Sequence, residues 1–209
     1  AIKQNIISID EMNKAVSSIL EFGRQEGAHL EERQNIDIIE FLKRKMEGFK
    51  LLAESQKKNF KCDINPENLT INTQPLLLNQ IVQNFVQNSF KFTPSGNEIS
   101  VSLTEINSSS IEIKVKDTGI GISESELPKI FDRFYQVNIA HTREHGGTGI
   151  GLSLAKELVE LHHGSVSVDS KLGEWTEFKI VLPLGKEHLT SDEIAEIDNL
   201  PMEKLPIDK

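Results

Sequence analysis

The sequence has one cysteine, Cys62, in 209 residues. It can form no intrachain disulfide and no thiolate metal cage, and a lone thiol fits a reducing compartment. No apolar run approaches the ~20 residues needed to span a bilayer, and no segment resembles a signal peptide. Positive charge is also scarce: Lys and Arg number 23 against 32 Asp and Glu, a formal net charge of −9. That balance argues against non-specific nucleic-acid binding and against an anionic membrane surface. Neither G-x-G-x-x-G nor G-x-x-x-x-G-K-[ST] occurs, which excludes the Rossmann and P-loop nucleotide sites. Carboxylates are missing altogether between Glu67 and Glu98.

With 37% hydrophobic and 26% charged residues, the composition is that of a globular protein. Ile9, Met12, Val16, Ile19 and Leu20 recur every three or four residues between Ile6 and Gly27. They predict an amphipathic helix whose narrow seam needs a partner helix, as expected of a truncated piece, a dimer, or both. After a hinge near His29 to Asn35, a second helix carries Ile38, Phe41, Leu42, Met46, Phe49, Leu52 and Ala53.

From Asn59 the period drops to two. Short strands are predicted at Phe60 to Ile64 and Leu69 to Ile71, around the turn Asn65 to Asn68. Ile99 to Ile106 and Ile111 to Val115 flank a turn at Asn107 to Ser110 and predict an antiparallel hairpin. Ser123 and Glu126 form a capping-box signature before a short helix with Leu127, Ile130 and Phe131. Ile150, Leu154, Leu158 and Leu161 define another helix, stopped by Gly164 at C′. Val166 to Val168 and Phe178 to Val181 are strands joined through Lys171 to Gly173. The sum is an α+β two-layer sandwich, a mixed sheet packed on helices. Beyond Pro183 the chain turns acidic and reads as a tail or linker.

Three features carry chemistry. The helix predicted after Thr73 (its N-cap) and Pro75 places Asn84, Asn88 and Lys91 on one stripe, because spacings of four and three return to the same face. Leu78, Ile81, Val82, Phe85 and Val86 form its apolar side. Amide oxygens can ligate a hard cation and an ammonium can neutralise phosphate, although a solvated helix face would look the same. Asp117-Thr118-Gly119-Ile120-Gly121 ends a strand with a carboxylate and two close-approach glycines, which suits a flat ring bearing an amine and equally suits a plain turn. His145 to Leu152 is glycine-rich and opens a helix, so its backbone N–H groups can face an anion.

In this order, with an aromatic Phe131-Asp132-Arg133-Phe134-Tyr135 segment between the glycine clusters, the motifs resemble the catalytic ATP-binding domain of sensor histidine kinases, in the GHKL superfamily. The resemblance covers about Asp37 to Leu184. It implies Asn88 as ligand of Mg²⁺, Asn84 as support of the metal–phosphate cluster and Lys91 on phosphate, with Phe92 in the ATP-binding set. Asp117 would accept from the adenine amine, with Gly119 and Gly121 approaching the ring. Phe131, Phe134 and Tyr135 would anchor a lid over Gln136 to Gly146, with Arg143 as its γ-phosphate cation. Gly147, Thr148, Gly149, Gly151 and Leu152 would face the phosphates. Thr176 would reach the adenine edge, although Trp175 stands where the family has a glycine.

The resemblance also implies a division of the chain. Residues 1–30 would be the second helix of a dimerisation and phosphoacceptor hairpin, able to pair in a homodimer. Residues 31–184 would be the catalytic domain and 185–209 a tail, with Leu184 to Leu189 resembling the junction to a receiver domain in hybrid sensors. None of His29, His141, His145, His162, His163 or His188 has a phosphoacceptor context, so the acceptor is expected on another helix of the parent protein. The implied partners are ATP, that hairpin and a response regulator or receiver domain. The implied place is the cytoplasm, in a parent that can be anchored in the inner membrane. Two rivals remain: a nucleotide-binding pseudokinase or dimerisation module, and a GHKL ATPase. The ATPases keep a Glu as general base where this chain has Asn84.

Overall fold

The computed structural model describes residues 33–64, 69–137, 149–185 and Leu189. In chain order its elements are β1 (Gln34–Asp37), α1 (Ile38–Ser55), β2 (Asn59–Ile64), β3 (Thr70–Thr73), α2 (Pro75–Phe92), β4 (Glu98–Asn107) and β5 (Ser110–Asp117). A single 3-10 turn (Leu127–Lys129), α3 (Gly151–Leu161), β6 (Ser165–Lys171) and β7 (Trp175–Pro183) complete it. The expected opening helix, the turn at 65–68 and most of the tail lie outside the described residues.

Strands β2-β4-β5-β7-β6 form one mixed sheet, with β2 parallel to β4 and every other pair antiparallel. The period-two pattern puts Ile99, Val101, Leu103, Ile111, Ile113, Val115, Phe178, Ile180 and Leu182 on one buried face. Helices α2 and α3 pack together and contribute Leu78, Ile81, Phe85, Leu154 and Leu158 to the same core. Phe85 is fully buried, with its ring centroid 5.1 Å from that of Phe178. Each such side chain contributes about 1.5–3 kcal/mol of transfer free energy. The opposite sheet face carries ion pairs, including Lys114–Glu112, Lys116–Glu177 and Lys179–Asp169. A two-layer α+β sandwich is therefore the fold, as the strand and helix patterns require.

Several local expectations change. Asn35 belongs to a strand: β1 pairs antiparallel with β3, and Asp37 caps α1 by accepting from the N–H groups of Ile39 and Glu40 at 2.8 and 3.2 Å. The strands on either side of residues 65–68 belong to different sheets, because β2 pairs with β4 and β3 with β1. Thr73 is the last residue of β3, and the N-cap of α2 is Gln74, without a side-chain capping bond. The capping box at Ser123 does not form: the 3-10 turn has Glu126 as its N-cap, without a side-chain capping bond, and Ser123 Oγ pairs with Ser125 Oγ at 3.1 Å. At the end of α3 the left-handed position is His163, with φ 57°. The Gly164 N–H donates to Val159 O and that of His163 to Glu160 O, both at 2.9 Å, the two bonds of a Schellman motif. Gly164 is favoured by close packing instead, because a Cβ there would run into the Val181 backbone carbonyl.

Candidate functional site

The polar stripe of α2 is covered. Asn84 is 6% exposed, and Asn88 and Lys91 are half-buried, so the solvated-face reading does not hold. The Asn84 amide donates through Nδ2 to Gln80 O at 2.9 Å, which leaves Oδ1 as an acceptor. A Cβ built on Gly151 would lie 2.8 Å from that oxygen. Asn84 and Gly151 therefore lie in close contact: a side chain on the first residue of α3 would displace the Asn84 amide. Leu152, half-buried, follows in the same first turn. Lys91 stands over its neighbour Phe92, with Nζ 4.9 Å from the ring centroid.

Asp117 ends β5 and is 4% exposed. Ser89 Oγ donates to its Oδ2 at 2.8 Å and the Gly119 N–H to its Oδ1 at 3.0 Å. Burial pushes its carboxyl above the usual range, while Ser89, the Gly119 N–H and Thr93 favour the charged form. The result is a desolvated acceptor held in one orientation.

The turn after Asp117 is clamped on two sides. The Ile120 N–H donates to Phe92 O at 3.2 Å, and the Gly173 N–H to Ile120 O at 2.7 Å. A Cβ on Gly119 would meet Phe92 C at 3.0 Å, and one on Gly121 would meet Leu172 Cα at 2.8 Å. Gly121 also has φ 64°. Both glycines of the motif are thus required by close backbone approach. Thr176, 5% exposed, is the cross-strand partner of Asp117.

The two ends of the expected lid meet. The Phe134 N–H donates to Gly149 O at 2.9 Å, and a Cβ on Gly149 (φ 71°) would meet Phe134 C at 2.7 Å. Arg133 on one side makes paired 3.0 Å bonds to the carboxylate of Glu157 in α3. Tyr135 OH donates to Glu126. Arg143, Gly147 and Thr148 lie outside the described residues.

One helix therefore organises the site. The middle of α2 meets the start of α3, and its C-terminal turn meets the Asp117 turn. Residues 73–186, more than half of the chain, match the family described as histidine kinase-, DNA gyrase B-, and HSP90-like ATPase. The chain belongs to this family. Among its relatives are the sensor histidine kinase WalK of Bacillus subtilis (strain 168) and the signal transduction histidine-protein kinase ArlS of Staphylococcus aureus (strain USA300). WalK is 32% identical over 181 residues, 85% of this chain and 29% of WalK. ArlS is 33% identical over 179 residues, 84% of this chain and 39% of ArlS. The chain thus spans well under half of either relative. The crystal structure of full-length ShkA in complex with AMPPNP superposes with a TM-score of 0.67 at 25% identity, over 86% of this chain and 38% of ShkA.

Membership in a family of ATPases makes ATP the ligand of this domain type. The side chains suit it, with a buried acceptor at Asp117 and amide oxygens and an ammonium one helix away. Among the described residues no group of three His, Cys, Asp or Glu could hold a metal by itself. Among the described residues no helix is long and apolar enough to cross a membrane. Sequence reasoning missed Ser89 as a partner of Asp117, because a serine on an apolar helix carries no pattern of its own.

Proposed function

We propose that this domain binds Mg·ATP and passes the γ-phosphoryl group to a histidine on a dimerisation helix of its parent protein. The observation that carries this reading is Asn84. An amide, buried and seated on Gly151, occupies the position where hydrolases of this family keep a carboxylate base. A side-chain amide cannot take a proton from water, while transfer to a nucleophile brought by another domain needs positioning and charge neutralisation.

Asn88 would hold Mg²⁺ with support from Asn84, and Lys91 would contact phosphate beside Phe92. Bound Mg²⁺ neutralises phosphate charge. Asp117 would accept from the adenine amine, with Thr176 on the same edge, Tyr135 at the lid, and Gly119 and Gly121 giving the ring access to backbone. Gly147, Thr148, Gly149, Gly151 and Leu152 would face the phosphates and Arg143 the γ-phosphate. As the histidine nitrogen bonds to γ-phosphorus, the bond from that phosphorus to the β,γ-bridging oxygen breaks and ADP leaves.

The same reading assigns residues 1–30 to a dimerisation helix, 31–184 to catalysis and 185–209 to a linker. It places the domain in the cytoplasm, with a receiver domain or response regulator as next partner. Calorimetry with Mg·ADP tests the site. Loss of Mg²⁺-dependent binding in Asn88→Ala is expected, and unchanged binding in that variant removes the assignment. Binding without any transfer to a supplied histidine hairpin would favour a pseudokinase.

A further inference from the structure

Helix α2 ends against a proline. The last carbonyls of a helix have no partner within it, and the N–H that Phe90 O would take four residues on is missing, because that residue is Pro94. The turn that ends there carries much of the candidate site. Ser89 donates to Asp117 at 2.8 Å, Lys91 is the candidate phosphate contact, and Phe92 O holds the Ile120 N–H at 3.2 Å. The partners of these carbonyls therefore bear on the site.

Lys58, in the short connection between α1 and β2, supplies the missing donor. Its Nζ donates to Phe90 O and stands 5.5 Å from the centroid of the Phe90 ring. That ring is stacked on Phe49 of α1 at 5.6 Å and tilted against Phe60 of β2 at 5.9 Å. A cation at a helix C-terminus is also favoured by the helix dipole. The same connection clasps the loop after α2. The Gly96 N–H donates to Lys57 O at 2.7 Å, and the N–H of Asn59, the first residue of β2, donates to Asn97 O at 2.8 Å. Asn97 in turn donates through Nδ2 to Thr118 O. The connection thus reaches the Asp117 turn by two routes, one through the end of α2 and one through the loop.

We infer that Lys58 is a positioning residue of the nucleotide site, which caps α2 at Phe90 O and so holds Lys91 and the Phe92–Ile120 contact in place before nucleotide arrives. The inference rests on the ATP-site reading. Lys58 touches no nucleotide atom in this account and acts through the backbone of α2. Without the cap the last turn of α2 frays. Ordering it again then subtracts from the free energy of binding, by up to the free energy of the cap.

The test measures Mg·ADP affinity by calorimetry on the full chain, alongside urea melts. Lys58→Met keeps the aliphatic stem over Phe90 and removes the donor. It should raise Kd about three- to tenfold, and amide exchange at Ile120 in the nucleotide-free chain should quicken. Lys58→Gln, shorter and uncharged, should weaken binding likewise and serves where the methionine variant does not fold. Lys58→Arg keeps a donating cation and should bind like wild type. A merely structural lysine would lower the urea midpoint and leave Kd unchanged in the folded variants. An unchanged Kd in Lys58→Met and Lys58→Gln, or an equal rise in Lys58→Arg, overturns the inference and leaves the ATP site standing. Failure of the wild type to bind Mg·ADP overturns the site reading itself.

Discussion

Asp117→Asn separates recognition from stability more cleanly than any other change in this domain. The substitution keeps the shape of the side chain. Oδ1 can still accept the Gly119 N–H, now 3.0 Å away, and Ser89 can rotate to accept from the new amide at the position of Oδ2. The site, however, gains a donor where an adenine amine needs an acceptor. Loss of one charge-assisted hydrogen bond removes about 1.5–3 kcal/mol, so the Kd for Mg·ADP should rise roughly 10- to 150-fold. The fold should respond in the opposite direction. Burial raises the folded pKa of Asp117 above the unfolded value of 3.8. Such a group costs nothing below pH 3.8 and lowers stability as pH rises through its folded pKa, because the unfolded chain gives up the proton more readily. The neutral variant escapes that cost. Its stability relative to wild type should therefore grow from pH 4 upward and level off once wild-type Asp117 is ionised in the fold. Calorimetry gives the first quantity, and urea melts across the pH range give the second. A variant that binds ADP as tightly as wild type would refute the adenine assignment. One less stable than wild type at pH 7 would refute the argument that desolvation dominates Asp117.

Three further changes probe the scaffold. Gly121→Ala places a Cβ 2.8 Å from Leu172 Cα at φ 64°, and should lower stability by more than about 2 kcal/mol in urea melts. Asn84→Glu adds a methylene and a charge where Oδ1 already seats on Gly151. It should lower the urea midpoint by the equivalent of roughly 1–3 kcal/mol. Phe85→Ala empties the fully buried contact with Phe178 and should cost about 3–5 kcal/mol in the same assay.

The fold was legible where burial sets a period. Alternation in β4, β5 and β7 and the three-four spacing in α1, α2 and α3 follow from one-sided burial against a shared core. Long-range pairing was not legible. β1 is four residues long, and its partner β3 lies beyond α1 and β2, so no local signal marks it. The stretch around residues 65–68 looks like a hairpin connection locally, and only the parallel pairing of β2 with β4 decides otherwise. Capping signals were outweighed twice: Thr73 was taken up by β3, and the turn after Ser123 starts from Glu126 without a side-chain cap. For the site, the Asn84 stripe and the Asp117 turn could be read from spacing, but their meeting through Gly151 and Phe92 O could not. Ser89 emerges only from tertiary geometry, since its partner Asp117 lies 28 residues further along the chain.

Phosphoryl transfer itself is the most direct test of the account. The chain is incubated with Mg²⁺, γ-labelled ATP and a separately supplied hairpin carrying the parent's phosphoacceptor histidine. Acid-labile label should accumulate on that histidine, with little free phosphate released when the hairpin is omitted. Label that appears only as free phosphate, at the same rate with and without the hairpin, would contradict the claim that Asn84 marks a site built for transfer.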